Sequence, residues 1–393
     1  MLSKKAESIK PSVTLGISSR VKSLKAKGVD VINLSIGEPD FETPVQAKQA
    51  AIEAINANMT KYDTASGNLE LKKAICADLL LRHSLEYDPA HIVVSSGAKQ
   101  SITNTLLALL DPGDEVIIPV PYWVSYPEMV GLCGGKTVFV ETKKSDGLLL
   151  SLEELKKSIT DKTKIIILNN PSNPTGNIYD KDKLQEICEY VVEKGIYIIA
   201  DEIYDEINYG AEFKSIPSFS DKIKENTILI NGVSKSYSMT GWRIGYTASN
   251  PTIAKAMGSI QSHLTNHPST ISQQAAREAI SNTLVTTTNM VETYKKRRDY
   301  IVSFFDKLGF DIIPPKGAFY LFVDMSPLKK YFEDGNMSIK LCEDLIEKVR
   351  VAFVPGISFG SDDYVRISYA ASMEEIKEGL NRFKKYVEEI NEN

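Results

Sequence analysis

A lysine that directly follows a buried apolar run is the residue in this chain best placed to do chemistry. In TILINGVSKSYSMTGWRIGY (Thr227 to Tyr246), the β-branched run Thr227 to Val233 reads as a strand and stops at Ser234-Lys235. Rigid backbone holds a lysine there, and partial desolvation lowers its pKa towards that of a usable amine nucleophile or base. Ser234 and Arg243 flank it in the spacing S-K-x7-R. The hydroxyl as donor and the guanidinium as a bidentate cation both suit a phosphate. Standing alone, Lys235 reads first as a solvated loop lysine, as most lysines after strands are.

Other strand ends supply residues that complement it. The run HIVVSS ends at Ser96 and opens through Gly97-Ala98-Lys99 into a Leu- and Ala-rich helix, whose free amides and dipole suit a phosphate. The strand Lys164 to Leu168 ends in NNPSNPTG, where Asn173 can donate to a phenolate oxygen while Pro174 and Gly176 fix a turn. The strand Ile196 to Ala200 ends in Asp201, followed by Tyr204. Each also has a plain structural reading: a simple helix start at Gly97-Ala98, a turn former at Asn173, a helix N-cap at Asp201.

The elements that must position these residues alternate. Strand patterns at Glu115 to Pro119, Lys136 to Val140, Lys164 to Leu168, Ile196 to Ala200 and Thr227 to Val233 are interleaved with helical ones such as Leu184 to Glu193. Helical periodicity also covers Val45 to Ala57 and Leu69 to Leu81. That alternation predicts an α/β fold with a mainly parallel sheet, in which ligands bind beyond the carboxyl ends of the strands. The last third differs, with a long charged helix over Asn289 to Leu308, then GAFYLFVD, a helix around Ser338 to Lys348, VAFVPG, the strand VRISYA and a helix from Met373 onward. It predicts a smaller α+β domain. The expected division is 47–285 for the large domain, with 1–46 and 286–393 forming the small one.

Composition narrows the function classes. With 393 residues, 42% hydrophobic and 25% charged, the chain is ordinary for a globular protein of two domains. A net charge of -5 without a basic tract argues against nucleic-acid or anionic-membrane binding. No apolar run is long enough for a membrane span, and MLSKKAESIK lacks a signal-peptide core, so a cytoplasmic location is expected. The four cysteines and four histidines show neither C-x-x-C nor H-E-x-x-H spacing, and no metal site is expected.

NPSNPTG, ADEIY and SKSYSMTGWRIGY, in this order, together with KYDTASG, GAFY and VRISYA, resemble the motifs of the pyridoxal-phosphate-dependent aminotransferases of classes I and II over nearly the whole chain. The opening PSVTLGISSRVKSLKAKGVDVINLSIGEPDF is similar to the prokaryotic aspartate aminotransferases of class Ib. The resemblance implies fold type I, with a seven-stranded sheet in the large domain. It implies that Lys235 carries pyridoxal 5'-phosphate and shuttles the proton, that Asp201 keeps the pyridine nitrogen protonated, and that Tyr204 and Asn173 hold the ring's phenolate oxygen. Gly97, Ala98, Lys99, Ser234 and Arg243 are then the phosphate-side residues, and Trp123 in PYWVSYPE lies over the ring.

The resemblance also implies that Tyr62 reaches the cofactor phosphate of a neighbouring subunit in a homodimer with shared sites, although by itself it reads as a surface tyrosine. It assigns the substrate α-carboxylate to Arg366, with Gly37 approaching through backbone; without it, Arg366 is a strand-edge ion pair and Gly37-Glu38-Pro39-Asp40 a turn. Lys99 is the candidate for the distal carboxylate of aspartate or glutamate, against a solvated first-turn lysine. The implied activity is ping-pong transfer of an amino group between L-amino and 2-oxo acids, with L-aspartate and 2-oxoglutarate as the expected pair. Aromatic amino acids, alanine or prephenate are alternative substrates, and a C-S lyase is the alternative enzyme on this fold. A cofactor-binding sensor is disfavoured, because the resemblance starts within the first dozen residues and leaves no room for a DNA-binding domain. Arg20 receives no role.

Overall fold

Strands form here because β-branched residues alternate between two buried faces. Ile165, Ile167, Ile199, Ile228 and Ile230 pack into one core, while Ile166, Leu168, Ile198, Ala200 and Leu229 pack into another on the opposite side. The computed structural model describes residues 2–9, 13–282, 284–332 and 335–392. Pro11 and Ser12, at the head of the amino-terminal motif, lie outside them.

The described strands are, in chain order, β1 (Ile32–Asn33), β2 (Ile92–Ser95), β3 (Glu115–Val120), β4 (Lys136–Glu141), β5 (Thr163–Asn169) and β6 (Tyr197–Asp201). They continue with β7 (Thr227–Gly232), β8 (Gly245–Ala248), β9 (Tyr320–Asp324), β10 (Val351–Ala352), β11 (Val354–Pro355) and β12 (Tyr364–Ser368). The main sheet has seven strands in the order β2-β8-β7-β6-β5-β3-β4. It is parallel from β7 to β4, and β8 runs antiparallel to both its neighbours. This is the expected α/β architecture.

Register brings the site together. Asn169 lies opposite Asp201 and Asp201 opposite Ile230, so the carboxyl ends of β5, β6 and β7 finish on one line. Chain order reverses between β3 and β5, the kind of crevice in which open α/β sheets bind ligands.

A second, antiparallel sheet, β11-β12-β9, carries Arg366 in its middle strand. Its core includes Tyr294, Phe305 and Phe383, contributed by helices Leu284–Lys307 and Met373–Glu392. The β1–β10 pair ties residues 32–33 to 351–352. Two details depart from the sequence reading. The helix from Met337 ends at Asp344 and continues as one wider π turn to Val349, closed by Arg350 at φ 60°. VAFVPG, given no element in the sequence reading, forms two short strands, because β10 pairs with β1 while β11 pairs with β12.

Candidate active site

Lys235 follows β7 by three residues and enters a cavity of about 540 Å³ lined by residues of both sheets. Its Nζ donates to the Gly37 carbonyl. Burial lowers its pKa to about 8; Glu38 opposes the shift, while Arg366 and Arg243 add to it. A neutral amine is therefore accessible near physiological pH.

Asp201 ends β6 fully enclosed. The Tyr126 hydroxyl donates to Oδ2 at 2.5 Å and the Ile203 amide to Oδ1 at 3.3 Å. Burial pushes this carboxyl up to about 6, against those two bonds and the pull of Lys235. Among the described residues no cation pairs with it directly, so a protonated ring nitrogen would complete its environment.

The turn after β5 is pinned by Asn169, whose Oδ1 accepts from the Asn173 amide at 2.7 Å and whose Nδ2 donates to the Asp201 carbonyl at 2.9 Å. Asn173 in turn accepts from Arg366 at 3.0 Å, and the other arm of that guanidinium donates to the Ser35 carbonyl at 3.0 Å. Arg366 is buried between the rings of Tyr320 and Phe359, at 4.3 and 5.0 Å, and its Nε has no partner among the described residues. Arg366 lines the cavity, where a guanidinium suits an incoming carboxylate. Tyr204 and Tyr320 share a hydrogen bond of 3.0 Å between their hydroxyls.

The phosphate-side residues meet where helix Ala98–Leu109 begins. Its first-turn amides have no earlier helical carbonyl to donate to. Gly97 is required because its φ of 89° is one that side-chain-bearing residues rarely adopt, and a Cβ there would also displace the Arg243 guanidinium, 2.2 Å away. Gly245 on β8 is required because its Cβ would lie 2.2 Å from the Ala98 amide. Arg243 is held by the carbonyls of Thr240 at 2.9 Å and Ser96 at 3.3 Å. Ser234 is buried beside it on the cavity wall. The Lys99 ammonium lies 5.1 Å over the Trp123 ring, and Trp123 meets Tyr126 edge-on. Desolvation, then Arg243, lowers the pKa of Lys99.

Thus Gly37, Ala98, Lys99, Trp123, Asn173, Asp201, Tyr204, Ser234, Lys235, Arg243 and Arg366 share one cavity, with Gly97 just behind it. Tyr62 is apart: it stands 90% exposed, edge-on to His267, and does not line this chain's cavity. Sequence reasoning missed Tyr126, Tyr320 and Asn169. Tyr126 stands three residues after Trp123 within PYWVSYPE, and Tyr320 closes GAFY, so both were inside quoted motifs without a role. Arg20 pairs with Glu347 at 2.7 Å, away from the chemistry.

The description of the family model matching residues 29–383 reads aminotransferase class I and II. The chain belongs to this family. Across 393 residues the aminotransferase is 45% identical to a probable aspartate/prephenate aminotransferase of Aquifex aeolicus, covering 99% of each chain. It is 43% identical to an aspartate aminotransferase of Bacillus subtilis, over 98% of this chain and 99% of that one. An aspartate aminotransferase of Thermus thermophilus solved with maleate superposes with a TM-score of 0.93 at 38% identity, covering 98% of this chain and 99% of that one.

The aminotransferase is therefore a pyridoxal-phosphate enzyme of fold type I. Its cavity fits the group. Cationic Lys22, Lys99, Lys235, Arg243 and Arg366 outnumber Glu38 and Asp201 along the wall, as a phosphate plus a carboxylate requires.

Proposed function

We propose that this aminotransferase moves the amino group of L-aspartate to 2-oxoglutarate, giving oxaloacetate and L-glutamate, with both half-reactions in one cavity and ping-pong kinetics. The observation that carries the reading is a buried, incompletely partnered Arg366 sharing a cavity with Lys235 and a second cation, Lys99. Arg366 binds the substrate α-carboxylate as a bidentate fork, with Gly37 admitting it through backbone. Lys99 meets the distal carboxylate.

Pyridoxal phosphate, when bound, supplies an electron sink for the pair left as the Cα proton departs. Asp201 would hold its ring nitrogen, Tyr204 and Asn173 its phenolate oxygen, Trp123 its face, and Ser234, Arg243 and the amides at Gly97, Ala98 and Lys99 its phosphate. Lys235 anchors it. Once displaced by substrate, the Lys235 amine would take the Cα proton and deliver it to the cofactor's C4' instead of back to Cα, a task suited to an amine with a pKa of about 8. Tyr126 orients Asp201 through its 2.5 Å bond.

The chain works as a cytoplasmic homodimer in which Tyr62 serves the partner's cofactor phosphate. Supporting this, Tyr62, Val45, Ile52 and Leu264 are apolar or aromatic and exposed by 90, 73, 51 and 55%. Among the described residues no helix is long and apolar enough to cross a membrane. The large domain spans 47–285, and 1–46 with 286–393 form the small one. Prephenate is a second acceptor to test, since the Aquifex relative's name includes it.

Lys235→Ala is expected to lose turnover and the yellow absorbance of the lysine-bound cofactor; normal activity in that variant would contradict the assignment. Lys99→Ala should weaken the half-reaction with aspartate while sparing an aromatic donor. Equal loss with all donors would remove Lys99 from substrate recognition.

A further inference from the structure

One wall of the cavity comes from the amino-terminal helix Val13–Ala26, which presents Thr14, Ser18 and Lys22. Spaced four residues apart, they form one stripe on that helix. The neighbouring stripe of Ile17, Val21 and Leu24 packs with Val31, Ile346 and Ala352, which fixes the direction in which the first stripe looks. Arg20 adds an outer tie to Glu347.

Lys22 is exposed and makes no ion pair with the described residues. Lys99 differs, because its ammonium lies on the Trp123 ring beside Arg243. Beside Arg366, Arg243 and Lys235, assigned to the α-carboxylate, the phosphate and the proton transfer, the cavity thus holds two further cations, Lys22 and Lys99. They come from different parts of the chain.

The proposed reaction gives both a use. In one site it must accept a four-carbon and a five-carbon diacid, with the α-carboxylate fixed on Arg366 and Cα fixed at Lys235. The distal carboxylate then moves outward by about one C–C bond, roughly 1.5 Å, between the two half-reactions. A lysine laid on an aromatic face is poorly placed to follow that shift. A long, unpaired side chain on the facing helix stripe can follow it.

We propose that Lys22 is a specificity-determining residue that receives the distal carboxylate of the five-carbon substrate, while Lys99 serves the four-carbon one. This rests on the dicarboxylate reading above. It goes beyond that reading by splitting the two diacids between two cations.

The test is equilibrium binding of glutarate and succinate, diacids that cannot react, to the holoenzyme by calorimetry, with butyrate as the monocarboxylate reference. Lys22→Gln is expected to weaken glutarate roughly fivefold, as for a solvent-exposed ion pair, and succinate less than about twofold. Lys22→Arg should restore glutarate, and the salt dependence of glutarate binding should flatten in Lys22→Gln. In turnover, Lys22→Gln should raise KM for 2-oxoglutarate with kcat unchanged. Wild-type affinity for glutarate in Lys22→Gln, or equal loss of both diacids, overturns the proposal while leaving the dicarboxylate reading intact. If neither diacid binds the wild-type enzyme better than butyrate, both readings fall.

Discussion

Asp201 and Asp205 stand four residues apart in one turn, both almost completely buried, yet their carboxyls are pushed in opposite directions. Burial carries Asp201 up to about 6, because its protein partners are a tyrosine hydroxyl and an amide. Burial acts on Asp205 too, but Arg82 at 2.7 Å and His83 at 3.0 Å outweigh it and hold the carboxyl well below its ordinary range. Arg82 also binds Asp78 and lies 3.3 Å from Glu206. The Asp205 network is closed within the protein. The Asp201 site leaves a charge waiting for a partner from outside, and that incompleteness is what separates a functional buried acid from an anchoring one.

The largest effect should fall on the open site. Asp201→Asn is expected to lower turnover on the order of a thousandfold, since the amide cannot hold a charged ring nitrogen. Steady-state kinetics on the cofactor-loaded variant checks this; activity near wild type would erase the functional half of the contrast. The closed network should respond in stability instead. Arg82→Ala leaves Asp205 and Asp78 without their cation and should cost about 3–5 kcal/mol in denaturant unfolding. A loss within experimental scatter would mean that the network is not an anchor.

Asp201→Asn should also stabilise the apoprotein by about 1–3 kcal/mol above pH 6. The sign follows from linkage. A folded pKa of about 6 against an unfolded value near 3.8 makes the ionised form the destabilised one, so the wild type loses stability as pH rises between those values. The advantage of the variant should therefore shrink as pH falls through 6 and vanish near 4. Thermal unfolding of both apoproteins across that range decides it, and a constant difference would assign the effect to packing.

The smallest change is Tyr126→Phe, which removes one hydrogen bond from Asp201. Turnover should fall about tenfold, and the acid limb of the pH profile should move upward as Asp201 becomes easier to protonate. An unmoved profile would reduce Tyr126 to packing.

The contrast also explains what the sequence could reveal. Lys235, Asp201 and Asn173 were legible because a buried strand ends beside each, and a parallel sheet collects its strand ends on one edge. Arg366 stood out as a guanidinium inside a β-branched strand. Tyr126 and Tyr320 were not legible as partners, because they reach Asp201 and Tyr204 across 75 and 116 residues of chain, and nothing local in their motifs specifies that meeting. Arg82, His83 and Asp205 were invisible for the same reason, since a helix end and a turn 122 residues apart become neighbours only once the sheet is built. Arg20 found its partner 327 residues away.

The most direct test of the central claim is a single half-reaction, mixing the yellow holoenzyme with L-aspartate and following both absorbance and products. The account expects rapid loss of the yellow band with a matching yield of oxaloacetate, reversed by 2-oxoglutarate with formation of glutamate. An unchanged band with no oxaloacetate formed would contradict it, and release of a thiol, pyruvate and ammonia from an S-substituted cysteine such as cystathionine would make the protein a lyase.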